Sequence, residues 1–123
     1  MLLGERVLIV EDEFLIALDI QRILETAHPR RTVFARNFAE VAALGAGLAD
    51  FDLAIISPPG PDPAERSVVD RLAATGAAIV VCTASRARLA GTAIADAIIV
   101  DKPFADDHLL DACGQALARR RQP

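Results

Sequence analysis

Arg6–Val10 is a short run in which an arginine precedes four aliphatic, mostly β-branched residues. After an acidic cluster, the apolar positions over residues 14–27 recur at helical spacing. The pattern predicts a strand, a turn and a helix whose inward face carries Leu15, Ile16, Ile20, Ile23 and Leu24, with Gln21, Arg22 and Glu25 pointing elsewhere. Pro29 prevents that helix from continuing. Residues 32–35 read as a second strand. Asn37 followed by Glu40 has the form of a helix N-cap with its capping-box partner, opening a helix over residues 38–49 whose second half is weakened by Gly45 and Gly47. Leu53–Ile56 is apolar without alternation, as expected of a strand covered on both faces of a parallel sheet. Residues 57–63 are loop.

A third helix is expected over residues 64–75, with Val68, Val69 and Leu72 inward and an end near Gly76. Residues 77–82 give a fourth strand. The pattern then weakens over residues 83–95, because Gly91 and Thr92 interrupt any helix begun at Ser85, so one or two turns are expected there. Residues 97–100 form a fifth strand, Pro103 breaks the chain, and Asp106–Arg120 is a last helix packing Leu109, Leu110, Cys113 and Leu117 inward. Five buried strands alternating with helices imply an α/β fold: a doubly wound, five-stranded parallel sheet with right-handed crossovers. Without repeats or a linker, residues 1–123 read as a single domain. In such sheets ligands gather beyond the carboxyl ends of the strands. Glu11, Asp12 and Glu13 after the first strand, Ser57 after the third, Thr83 after the fourth and Lys102 after the fifth are therefore expected to face one crevice.

Composition narrows the picture. Apolar types at 53% and charged types at 24% of 123 residues support a packed core and exclude a disordered chain. The net charge of −4 repels a phosphate backbone, so no nucleic-acid partner is expected. Apolar runs fall far short of the roughly 20 residues that cross a bilayer, and the first residues lack a signal-peptide pattern. The expectation is a cytoplasmic protein with no membrane partner. Cys82 and Cys113 lie in apolar segments, which favours reduced, buried thiols over a disulfide.

Clustered carboxylates beside a lysine and a hydroxyl suit a hard divalent cation, with the positive groups holding the outer oxygens of a phosphoryl group. Val-Leu-Ile-Val-Glu11-Asp12-Glu13, Phe51-Asp-Leu-Ala-Ile-Ile-Ser57, Val81-Cys-Thr83-Ala84 and Asp101-Lys102-Pro103-Phe104 resemble, in order, the motifs of the response regulator receiver (CheY-like) domain. Each motif alone is weak; four in order at strand ends, across nearly the whole chain, are specific. The resemblance implies the flavodoxin-like receiver fold. It assigns Glu11 and Asp12 to Mg2+ and makes Thr83 and Lys102 phosphoryl contacts. It also calls for an aspartate ending the third strand, phosphorylated by a histidine kinase.

The chain departs from that pattern where it matters most, because Ser57 stands at the phospho-acceptor position. An ionised carboxylate forms an acyl phosphate, whereas a neutral serine needs a base and would form a stable ester. The Mg2+ site loses an anionic ligand with it, so weak or lost metal binding is expected and no other cofactor. Pro58, Pro59 and Pro61 stiffen the adjoining loop. Ile99 occupies the switch position, three residues before Lys102, where the family carries an aromatic residue. The segment between Thr83 and Lys102 is also short for the family. The expected protein is an atypical, stand-alone response regulator receiver in two-component, phosphorelay signal transduction, not an enzyme. It would work through contacts with a sensor histidine kinase or another signalling protein, with a homodimer left open.

Other readings of the same residues stay open. Asp12 or Glu11 could serve as a Mg2+-dependent phospho-acceptor in place of Ser57, or Ser57 could be an engineered replacement of aspartate. A nucleotide-binding doubly wound domain would need a glycine-rich loop after the first strand, where Val10-Glu-Asp-Glu13 stands instead. The acidic cluster also suits a helix N-terminus by its dipole, as Arg119, Arg120 and Arg121 suit a C-terminus. Thr83 could satisfy loop backbone groups, and Ser57 could be a turn residue. His28 and His108 lack a second ligand at metal spacing and read as surface residues.

Overall fold

The structure, a computed structural model, describes residues 4–84 and 97–120. The apolar runs form strands β1 (Arg6–Val10), β2 (Arg31–Ala35), β3 (Leu53–Ile56), β4 (Ala78–Thr83) and β5 (Ile98–Asp101). All pair in parallel, in the order β2-β1-β3-β4-β5. Every residue of β3 is buried, which explains why its sequence shows no alternation. The helices are α1 (Phe14–Glu25), α2 (Phe38–Ala42), α3 (Pro63–Ala74) and α4 (Asp106–Arg120), with a 3₁₀ segment at Gly45–Asp50.

Two cores result, one on each face of the sheet. Val7, Ile9, Ile55, Val80 and Cys82 pack against Ile20, Ile23 and Leu24 of α1 and Leu109, Cys113 and Leu117 of α4. Leu8, Val10, Ala54, Ile56 and Val81 pack against Phe38, Val41, Leu48 and the Val68, Val69, Leu72 face of α3. This is the doubly wound arrangement anticipated above. Among the described residues, no helix is long and apolar enough to cross a membrane.

Three local expectations need correction. Leu15 does not belong to the inward face of α1: it is 79% exposed, beside Phe14 at 72%, while Ala17, Ile20, Ile23 and Leu24 are buried. The second helix stops at Ala42 rather than Ala49, and Gly45, at φ 54°, turns the chain into the 3₁₀ segment. Asn37 caps α2 by accepting from the Glu40 N–H at 2.9 Å, but Glu40 reaches back to the N–H of Arg36 at 2.8 Å, one residue beyond the capping-box partner. The α3 end behaves as expected, with Thr75 in helical geometry and Gly76 at φ 84°. Of the weakly patterned stretch, Thr83 closes β4 and residues 85–95 lie outside the described residues, as does Arg121.

At the amino ends of the strands Asp52 ties the base together. It accepts from the Arg6 N–H at 2.9 Å and from the Arg120 guanidinium at 3.0 Å. Burial opposes its charge, but these donors outweigh it and hold the carboxyl below its ordinary value.

Candidate functional site

The opposite end of the sheet holds the residues singled out by the sequence. Glu11 extends the β1 ladder by one bond, its N–H donating to the Ala35 carbonyl at 3.1 Å. Its side chain is thereby fixed at the head of β1, only 1% exposed. Ser57 does the same for β3, donating its N–H to the Val10 carbonyl at 3.0 Å, which sets it beside Glu11. Thr83 is the last residue of β4, 2% exposed and opposite Asp101. The Lys102 N–H donates to the Thr83 carbonyl at 2.9 Å, placing the lysine just past β5 at the start of a cis Lys102–Pro103 bond.

The side chains converge on Glu11. Its Oε1 accepts from Lys102 Nζ at 2.8 Å and from Ser57 Oγ at 3.0 Å, while Oε2 accepts from the Glu13 N–H at 3.1 Å. Burial works against ionisation of Glu11. The Lys102 hydrogen bond and charge, the Glu13 N–H and the Ser57 hydroxyl together overcome it and hold the carboxyl below its ordinary value. Glu11 is thus a charged acceptor of low basicity, poorly suited to take the Ser57 proton.

All four predicted groups line one cleft of about 380 Å³, with Asp12 and Glu13 exposed in it. Arg36 and Glu65 join them there. Sequence reasoning missed Arg36, although it directly follows β2 and the same strand-end rule finds it. Ile99 lies away from the cleft, half-buried against the α2–α3 core. His28 and His108 are exposed, as expected of surface histidines. Cys82 and Cys113 are both reduced and buried. Burial pushes the Cys82 thiol up to about 12, against the pull of nearby Lys102, and pushes the Cys113 thiol up to about 12 as well.

Beside the cleft, Phe14 and Leu15, with Leu18 at 41% exposure, form an outward apolar face on the first turns of α1. Leu15 and Ile16 border a groove of about 550 Å³ whose other wall is Pro103 and Phe104. Isolated exposed leucines are ordinary; here three large apolar side chains stand exposed within five residues.

No protein-family model and no curated protein matches this chain. Solved structures do match it along nearly its full length. A response regulator receiver protein from Sinorhizobium medicae WSM419 superposes with a TM-score of 0.81 at 22% identity, covering 98% of this chain and 100% of that one. The receiver domain of the response regulator PhyR from Erythrobacter litoralis gives 0.78 at 22% identity, over 98% of this chain and 95% of that one. A CheY-like response regulator receiver domain protein from Methanospirillum hungatei JF-1 gives 0.76 at 22% identity, over 95% and 96%. With its five parallel strands in flavodoxin-like order, this chain has the receiver fold.

Proposed function

We propose that this domain is an atypical receiver in two-component signalling, acting through protein contacts without being phosphorylated at the usual position and without catalysing a reaction. The observation that carries this reading is Ser57 at the carboxyl end of β3, donating its hydroxyl to Glu11. An aspartate there would offer an ionised oxygen able to form an acyl phosphate. Serine offers a neutral hydroxyl, and its nearest carboxylate is too weak a base, being already paired with Lys102. Of the two groups that the resemblance assigns to the phosphoryl group, Lys102 is committed to Glu11 and Thr83 is buried at the end of β4. The apolar face of Phe14, Leu15 and Leu18 supports partner binding as the surviving activity, with a sensor histidine kinase or another signalling protein as the partner.

Phosphotransfer from a panel of autophosphorylated histidine kinases tests the reading. No label is expected on the wild-type domain, and acid-stable, base-labile label on it would overturn the proposal.

A further inference from the structure

We infer that Lys102 serves as the resident cation of the cleft, its ammonium taking the place beside Glu11 that a divalent metal would need, so that the cleft excludes Mg2+. This deepens the receiver reading and rests on it. A carboxylate offers about four lone-pair positions, and Glu11 has three filled: two on Oε1 by Lys102 and Ser57 and one on Oε2 by the Glu13 N–H. An incoming Mg2+ would have to displace the lysine or lie next to it.

Ser57 is the reason Lys102 sits there. An acidic residue at the end of β3 would be a second anion between β1 and β5, able to hold the lysine while Glu11 faced a metal. Serine reverses the polarity of that position, donating a hydrogen bond to Glu11 where a carboxylate would accept. Glu11 is therefore the one buried carboxylate in the cleft among the described residues, and Lys102 is its counter-ion at 2.8 Å. What remains for a metal is Asp12 and Glu13. Their carboxylate oxygens come within 4.8 Å of one another and of Glu11, but both residues are exposed, and the third member of that group among the described residues is Glu11 itself, already held by Lys102. Mg2+ gives up its water reluctantly and demands near-octahedral oxygen geometry, which two solvated carboxylates beside an ammonium do not supply. The residues present do not fit the metal that the resemblance implies.

Titration calorimetry with Mg2+, together with Mn2+-induced broadening of amide NMR signals, tests this on the wild-type domain, Lys102→Met and Ser57→Asp. The wild type is expected to show no saturable binding at millimolar Mg2+. Lys102→Met, with Glu11 released, should bind at least about tenfold more tightly, or ~1.4 kcal/mol. Ser57→Asp should also gain binding, by adding an anion, and it carries the test if circular dichroism shows Lys102→Met to be unfolded. Saturable sub-millimolar binding by the wild type, or no gain in the folded variants, would overturn the inference. Failure of the broader reading is a separate result, since it requires an acyl phosphate on the wild type and no metal titration reports that.

Discussion

Glu11 and Lys102 lie ninety-one residues apart in sequence and 2.8 Å apart in space. Removing one partner of a buried pair leaves an uncompensated charge, so Lys102→Met in metal-free buffer should cost about 3 kcal/mol, read as a lower urea midpoint with unchanged slope. The pH dependence follows from the lowered carboxyl of Glu11. Its contribution is fully present above the ordinary glutamate value of 4.5 and is lost as the pH falls through the lower folded value. Glu11→Gln should therefore flatten the acid limb of a stability–pH curve; an unchanged limb would show that the pair contributes nothing. The two thiols give a second check. Both are buried and pushed up to about 12, so a disulfide reagent at neutral pH should leave Cys82 and Cys113 untouched until urea unfolds the chain. At this scale the sequence announced which residues stand at the strand ends. It did not announce that Lys102 would neutralise Glu11, because strand order alone brings the two residues together.

Among the elements, α1 shows where periodicity stops being informative. Residues 14–18 are apolar at every position, so spacing alone cannot decide which of them faces the sheet, and Leu15, which the pattern puts inward, points to solvent. Farther along, polar residues interrupt the apolar ones, and Ile20, Ile23 and Leu24 are assigned correctly. Leu15→Glu combined with Leu18→Glu should change unfolding free energy by no more than about 0.5 kcal/mol per site, while abolishing binding of a signalling partner measured by calorimetry. Leu24→Ala, in the core, should cost roughly 3 kcal/mol. The Asn37 cap is worth about 1 kcal/mol, which Asn37→Ala should remove from the thermal or urea transition. The early end of α2 was half legible. Gly45 and Gly47 warned of weakness, but whether a glycine-weakened helix frays, tightens to 3₁₀ or persists depends on packing around Leu48, which no local pattern reveals.

For the whole molecule, the doubly wound sheet was readable because continuous apolar runs separated by amphipathic helices admit few arrangements once crossovers are right-handed. That pattern survives at 22% identity to receivers whose backbones superpose at TM-scores near 0.8, which is why the fold is plain where sequence comparison by family model finds nothing. The topology draws Glu11, Ser57, Thr83 and Lys102 into one cleft, and the proposed function rests on Ser57 setting its chemistry. Intact-mass spectrometry of the wild-type domain and of Ser57→Asp, after incubation with Mg2+ and a small acyl-phosphate donor, tests that claim most directly. The account predicts one labile phosphoryl group on Ser57→Asp and none on the wild type; a labile phosphoryl group on the wild type would contradict it.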